Sequence, residues 1–488
     1  MALRGRALVG TTYSTLGLAK ASILPVAAAQ KGRFADKRCF RSGPPDLSTA
    51  TCVPSATATA NEASKAAEAA PAMNSSLASL PNAVLIRSLF INSISSRPWL
   101  LSPALAFMSA LCRPNLPAIL DVNRNRLLRW ILKQTVYKQF CAGENDKEIA
   151  KWISSVKGMG FRGAMLTYAR ETMFDHNTGV EHVGGDAGTG AKTDICPIIE
   201  AWRQGTLGTA ALLSEGDQLA IKITGAGPDV TNALAELKQP PKQFIDALEE
   251  TIAQCKQRGV RVIADAESQR FQFGIFQVGI DMMRKFNTDG YAVVFNTYQA
   301  YLKSTPDTIQ KHLAAASKDN FTLGIKVVRG AYIDTDKRSL MHDTKPDTDN
   351  AYNAIAQGAL RQQLGDFGEG QANAFPGVNL LLATHNKESA FSAHMLHQQR
   401  LRDNLPTIPV SFAQLQGMAD HISFGLLALN NDGKGTGPDV TKCSTWGELS
   451  ECIGYLARRG SENRDAASRT TDGYAALKKE AWRRLRFW

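Results

Sequence analysis

The sequence predicts an α/β fold, a (βα)8 barrel of the TIM type with an N-terminal helical arm. From about residue 148, short apolar runs alternate with longer helical patterns, as they do in the βαβ units of a parallel sheet. Polar residues cluster at or just past the end of most of these runs. In a barrel those ends share one face, which is where catalytic residues of this fold gather.

Eight apolar runs occur in series, and this number favours a closed barrel over an open sheet. They span residues 161–168, 218–224, 261–266, 291–297, 323–329, 378–384, 409–414 and 440–444. The last run fits a strand only loosely, because it contains Lys442 and Cys443. Helical patterns lie between the runs, at residues 240–258, 268–287, 305–318, 349–364, 387–400 and 446–459.

The chain has 488 residues, of which 44% are hydrophobic, and a formal net charge of +11. Much of the excess charge lies in residues 1–41, where eight basic residues face one acid, Asp36. The remainder is only mildly basic, which argues against nucleic-acid binding. The eight cysteines form no CxxC pair and the histidines no HExxH motif, so no metal site is predicted.

The composition divides the chain into five segments. Residues 1–41 are rich in Arg, Ser, Thr and Ala and poor in acids, which is typical of a mitochondrial transit peptide. A disordered basic tail is the alternative. A secretory signal fits less well, because Lys20 and Pro25 interrupt the apolar stretch. We expect a disordered linker at 42–97, a helical arm at 98–147, the barrel at 148–470 and a C-terminal tail at 471–488.

Six of the predicted strands end in candidate site residues. Any one group has an ordinary explanation as a helix cap or a satisfied core polar residue, but six in register indicate a site. The groups contain Lys222 and Thr224, Asp265 and Glu267, Asn296 and Gln299, Lys326 and Arg329, Thr384 to Asn386, and Gln414.

The predicted helix after the last strand carries Tyr455, Arg458, Arg459 and Glu462 on or near one face. Two adjacent arginines can hold a carboxylate through paired hydrogen bonds. The alternative is a solvated helix with an Arg458–Glu462 ion pair.

Several segments resemble the motifs of proline dehydrogenases, in the order of that family and over roughly residues 135–470. They are FTLGIKVVRGAY at 321–332, FNTYQAYL at 295–302, VIADAE at 262–267, ATHN at 383–386, QLQGM at 414–418, YLARRGSEN at 455–463 and FCAGE at 140–144. The long Ala/Ser/Thr-rich front end resembles the fungal-like mitochondrial branch of the family.

The resemblance implies a distorted (βα)8 barrel that holds FAD non-covalently at its strand C-termini. It implies oxidation of L-proline to Δ1-pyrroline-5-carboxylate by hydride transfer to flavin N5, with electrons passed to ubiquinone. It also implies peripheral contact with the matrix side of the mitochondrial inner membrane. No nucleic-acid partner is expected.

By matching position, the resemblance assigns three kinds of site residue. The catalytic residues are Lys326, Arg458 and Arg459. The substrate pocket is formed by Lys222, Asp265, Val327, Tyr332, Tyr455, Arg458 and Arg459. The cofactor contacts are Gln299, Lys326, Val328, Gly330, Ala331, Thr384, His385, Asn386 and Glu462.

Two positions depart from the family pattern. Cys443 stands where a tyrosine is common, and Asp336 where a glutamate is common. The lost ring leaves open a substrate such as hydroxyproline or another cyclic imino acid on the same barrel. A non-enzymatic scaffold or nucleic-acid binder has only the net charge in its favour.

A glycine-rich segment at 185–193, GDAGTGAKT, resembles a phosphate loop. Ala191 separates its lysine from the preceding glycine, so the motif is incomplete. We interpret the segment as an insertion after the first strand.

Overall fold

Eight parallel strands form a closed barrel in the computed structural model, which describes residues 76–113, 116–168, 172–175, 180–183, 195–429, 437–465 and 467–486. All of these residues belong to one unit, Ser55–Trp488. The barrel strands are β1 (Gly163–Tyr168), β4 (Gln218–Ile221), β5 (Arg261–Ala264), β6 (Val294–Gln299), β7 (Leu323–Val328), β8 (Val378–Ala383), β9 (Val410–Leu415) and β10 (Asp439–Trp446). Each predicted run contributes one strand, so the predicted fold is confirmed.

The chain winds around the barrel in order, and β1 closes it by pairing with both β4 and β10. Between β1 and β4 lies an antiparallel hairpin that the sequence did not predict, formed by β2 (Thr172–Asp175) and β3 (Val180–Val183). The incomplete phosphate loop falls largely on residues outside the described part of the chain.

Fifteen helices surround or extend the barrel in the described residues. They are α1 (Asn82–Ser95), α2 (Pro98–Leu111), α3 (Arg126–Leu132), α4 (Lys138–Phe140), α5 (Asp146–Gly158), α6 (Pro197–Leu212), α7 (Pro228–Ala235), α8 (Lys242–Gln257), α9 (Gln269–Phe286), α10 (Thr305–Asp319), α11 (Lys345–Arg361), α12 (Lys387–Arg402), α13 (Asp420–Ala428), α14 (Leu449–Asp465) and α15 (Ala467–Leu485). None of these helices combines the length and hydropathy needed to cross a bilayer.

The strand side chains divide into two layers because they alternate across the sheet. In β7, Leu323, Ile325 and Val327 belong to the large hydrophobic layer between the strands and the helices. A smaller cluster fills the barrel interior and forms its floor. Its buried members are Met165, Ala220, Ile263, Ala292, Phe295, Leu381 and Ala413.

The terminal segments are more ordered than predicted. The expectation of disorder for 42–97 is wrong from residue 76 onward, because α1 forms there. Helix α15 spans the expected boundary between barrel and tail at 470 and contacts α1. Arg484 of α15 donates hydrogen bonds to the carbonyl oxygens of Leu77 (3.1 Å) and Leu80 (2.8 Å), which ties the two segments together. Residues 1–41 lie outside the described part.

Candidate functional site

A cavity of about 940 Å³ lies at the C-terminal ends of the barrel strands and reaches α1, α14 and α15. It contains most of the side chains that the sequence assigned to a site. These are Lys222, Asp265, Gln299, Lys326, Val328, Gly330, Ala331, Tyr332, Thr384, His385, Tyr455, Arg458 and Arg459. The face of the barrel that the sequence predicted is therefore the one that carries the cavity.

Two lysines share one carboxylate at the centre of this face. Lys326 Nζ lies 2.6 Å from Asp265 Oδ1, and Lys222 Nζ lies 3.6 Å from Asp265 Oδ2. Lys222 and Asp265 directly follow β4 and β5, and Lys326 lies near the end of β7, so the barrel closes them into one cluster. One carboxylate against two ammonium groups leaves the cluster net positive, which suits an anionic or electron-accepting ligand.

Tyr332 is held against this cluster. Lys222 Nζ lies 3.2 Å from the Tyr332 hydroxyl, and both groups donate hydrogen bonds to the carbonyl oxygen of Ala266, at 3.2 and 3.3 Å. The tyrosine is buried. These contacts fix its ring as one wall of the cavity.

Helix α14 supplies the arginines. Arg459 is buried, and its guanidinium lies 4.9 Å from the centre of the Tyr455 ring, which is cation–π distance. Arg458 also lines the cavity. The helix lies close against α2: a Cβ at Gly460 would meet Leu105 at 2.5 Å. The two guanidinium groups are thus presented to the cavity by a packed helix and can bind a carboxylate.

Backbone rather than side chain reaches the cavity at Gly330. This residue has φ +143, and a Cβ there would lie 1.5 Å from a ring carbon of Tyr301, so no other residue fits. The following amide, of Ala331, donates to Gln299 Oε1 at 3.2 Å. Gln299 is itself buried, so its amide is fixed beside this stretch of exposed backbone.

The segment after β8 contributes two cavity residues and one helix cap. Thr384 Oγ1 accepts a hydrogen bond of 2.6 Å from Arg329, and His385 Nε2 accepts one of 3.1 Å from the Leu415 amide. Asn386 does not line the cavity; its side chain accepts from the Ser389 amide at 2.9 Å and caps α12. The predicted cofactor contact at Asn386 is therefore corrected to a structural role.

A second correction concerns Val327. Its side chain is fully buried in the layer between strand and helices, whereas its neighbours Lys326 and Val328 line the cavity. The prediction of a pocket wall was displaced by one residue, and one residue changes the face of a strand. The side chain of Glu462 lies outside the described part.

Arg329 is a site residue that the assignment missed. Its guanidinium donates to Asp349 (2.6 Å), Thr384 (2.6 Å) and Ser389 (2.9 Å), and it lies 4.4 Å from the centre of the Tyr352 ring. It joins β7 to the segment after β8 and also lines the cavity. Its place at the end of a strand was the available signal.

The two departures from the family pattern have different positions. Cys443 lines the cavity, with its Sγ 3.3 Å from Met165 Sδ, and burial raises the pKa of its thiol to about 11. Asp336 is buried and accepts hydrogen bonds from the Tyr301 hydroxyl (3.0 Å) and the Gln269 amide (3.1 Å). Asp336 therefore supports the ring beneath Gly330, whereas Cys443 presents a small neutral group to the ligand space.

The fold and the cavity define a (βα)8-barrel enzyme whose site is cationic. A family model described as proline dehydrogenase matches residues 184–472, and the chain belongs to that family. Membership places it among the oxidoreductases of proline catabolism, which confirms the predicted enzyme class.

Two curated relatives match over most of their length. A probable mitochondrial proline dehydrogenase of Schizosaccharomyces pombe is 28% identical, with 82% of this chain and 88% of the relative covered. A hydroxyproline dehydrogenase of Mus musculus is 27% identical, with 83% and 91% covered.

Among solved structures, proline utilization A (PutA) from Bdellovibrio bacteriovorus inactivated by N-propargylglycine matches with a TM-score of 0.60 at 15% identity. The match covers 84% of this chain and 41% of that one, so the chain spans less than half of this structural relative. At this identity the likeness shows the fold alone.

Proposed function

We propose that this protein is a mitochondrial, FAD-dependent enzyme that oxidises L-proline to Δ1-pyrroline-5-carboxylate. One observation carries the proposal: a single cavity contains both the Arg458 and Arg459 pair and the Lys222–Asp265–Lys326 cluster. The first can hold an amino-acid carboxylate, and the second can stabilise negative charge on an adjacent ring.

The residues present fit a flavin. The volume of about 940 Å³ is at the upper end of small-molecule sites, as a dinucleotide requires. The tight contact between Gly330 and Tyr301 leaves backbone exposed where a ring or phosphate needs close approach. Seven residues would hold the cofactor: Gln299, Lys326, Val328, Gly330, Ala331, Thr384 and His385. Bound there, FAD supplies the acceptor for two electrons from the C5–N bond of proline.

The side chains then have distinct tasks. Arg458 and Arg459 bind the substrate carboxylate and fix its orientation. Tyr332 and Tyr455 bound the pocket and exclude water. Lys326 places positive charge beside the site of electron transfer, and Asp265 holds the lysine in position.

We propose that the electrons pass to ubiquinone at the matrix side of the mitochondrial inner membrane, through peripheral contact. The relatives named mitochondrial and the basic composition of residues 1–41 support this location. No nucleic-acid partner is proposed.

A second candidate substrate is hydroxyproline. Two observations favour it: the similarity to the mouse hydroxyproline dehydrogenase, and the small thiol of Cys443 in the cavity wall. The space beside a thiol would accept a ring hydroxyl that a tyrosine side chain would exclude.

A product assay tests the proposal. The purified full chain, loaded with FAD, is given L-proline and a water-soluble electron-accepting dye, and the cyclic imine is trapped with o-aminobenzaldehyde. We expect proline-dependent dye reduction with matching imine formation. Folded, FAD-loaded protein that forms no imine from proline would contradict the proposal. A higher kcat/KM for trans-4-hydroxy-L-proline would select the second candidate.

A further inference from the structure

Exposed aromatic and aliphatic side chains are concentrated on the helical arm, α1 to α3. Among the described residues, all three strongly exposed tryptophans belong to the arm or to α15: Trp99 (72%), Trp130 (61%) and Trp482 (65%). The arm adds six more exposed apolar side chains, Ile86, Phe90, Phe107, Ile119, Leu127 and Ile131. Large exposed apolar surface of this kind marks an interaction site.

Helix α2 shows the pattern most clearly. Its sequence, PWLLSPALAFMSAL, contains no charged residue, yet Trp99, Pro103 and Phe107 are exposed at four-residue spacing along one face. Leu101, Met108 and Leu111 are buried on the protein side. The helix is therefore apolar on both sides, although only one side has a partner within the described structure.

Positive charge surrounds this apolar surface. Residues 82–140 contain eight arginines and lysines and one acid, Asp121. Arg97 and Arg113 flank α2 and are exposed, as are Arg126 on α3 and Lys138 on α4. A two-fold contact between copies of this face would bring like charges together, whereas an anionic surface would be attracted.

We propose that the face formed by α1, α2 and α3 is an interfacial docking surface for an anionic lipid bilayer. Tryptophan favours the boundary between headgroups and acyl chains, and arginine and lysine favour anionic headgroups. Insertion to that depth needs no spanning helix.

The same arm forms part of the cavity wall. Ile91 and Asn92 of α1 and Cys112 at the end of α2 line the cavity from within. Docking would therefore set the cavity beside the bilayer, where a lipid-soluble acceptor is found. This last point rests on the proposed function, whereas docking itself does not.

Vesicle co-sedimentation of the FAD-loaded full chain tests the docking surface. Vesicles of phosphatidylcholine mixed with phosphatidylglycerol are compared with phosphatidylcholine alone. The arm variant combines Trp99→Ser and Phe107→Ser, and its matched control is Phe273→Ser, which removes an exposed ring from α9. Neither arm residue lines the cavity. Because every variant keeps the basic segment 1–41, that segment contributes equally throughout.

We expect wild type and control to bind the anionic vesicles and the arm variant to bind them about tenfold more weakly or less. A second variant, Arg97→Glu with Arg113→Glu, keeps the apolar face and should lose the preference for anionic vesicles. It serves if the serine variant fails to retain FAD or its thermal stability.

Three results would overturn docking: wild type that stays in the supernatant, well-folded arm variants that bind as wild type does, or a wild-type dimer that the arm variant converts to monomer. The last would make the face a contact between copies. Dye-linked proline oxidation without vesicles separates this proposal from the function: oxidation without vesicle binding rejects docking alone, and binding without oxidation rejects the proposed function alone.

Discussion

Two buried lysine–aspartate pairs lie near the same end of the barrel, and only one of them belongs wholly to the cavity. Lys326 and Asp265 are 2.6 Å apart with side chains 8% and 17% exposed; Lys442 and Asp420 are 2.7 Å apart with side chains 6% and 11% exposed. By distance and burial they are nearly the same. Their surroundings differ, and the surroundings decide their roles.

Lys326 and Asp265 both line the cavity, and Asp265 also faces Lys222. Lys442 does not line the cavity; it donates to the carbonyl oxygen of Met418 (3.2 Å) and lies 5.8 Å from the centre of the Phe161 ring. The first pair thus keeps a side directed at ligand space, and the second is enclosed by protein. Burial of a charge identifies a cost, not a function.

The largest expected effect is on stability, from Lys442→Met. Removing this amine leaves Asp420 largely buried without its closest cation, which costs about 3 kcal/mol in the free energy of unfolding. Urea unfolding measures the loss, and proline oxidation per folded molecule should stay near wild type. A variant with normal stability and slow oxidation would reverse the comparison.

Lys326→Met should have the opposite balance. Asp265 keeps Lys222 as a partner, so the loss of stability is smaller than for Lys442. The rate of flavin reduction by proline should fall about 100-fold, or about 2.7 kcal/mol in the barrier. Anaerobic stopped-flow absorbance measures this rate. An unchanged rate would remove Lys326 from the chemistry.

Arg458→Ala sharpens the comparison at a cation that serves the substrate rather than the cofactor. We expect a loss of about 2 kcal/mol, seen as a roughly 30-fold rise in the KM for proline, with FAD content retained. Arg458→Lys should restore only part of the affinity, because an ammonium group cannot bind a carboxylate in bidentate fashion. Wild-type KM in the alanine variant would exclude Arg458 from substrate binding.

Tyr332→Phe should have the smallest effect. The ring remains as a wall, and only the hydroxyl contacts with Lys222 and the Ala266 carbonyl are lost. Such contacts contribute about 1 kcal/mol, so kcat/KM should fall about fivefold. A fall as large as that for Lys326→Met would mean that the hydroxyl takes part in the reaction.

Most of the barrel could be predicted from the sequence, because each strand is a local apolar run and the runs repeat. Even the weak eighth run is a strand: Lys442 fits there because its amine is paired with Asp420 on the outer side, while Cys443 points into the cavity. That pairing joins residues of two separate elements, so no local pattern indicates it.

The arm and the fine assignment of the site were less predictable. Helix α1 lies in a segment expected to be disordered, and it is ordered through contacts with α15, about 400 positions later in the chain. Val327 and Asn386 were assigned by position in a motif. Their actual roles depend on which face of β7 a residue occupies and on where α12 begins.

The account's central claim is that the cavity at the strand C-termini is a flavin-dependent site for proline. The most direct test is the visible absorbance of the FAD-loaded protein under anaerobic conditions, before and after L-proline is added. We predict that the flavin band bleaches with proline in wild type and, at the same rate per folded molecule, in Lys442→Met. A band that neither proline nor hydroxyproline changes, in folded protein that retains FAD, would contradict the claim.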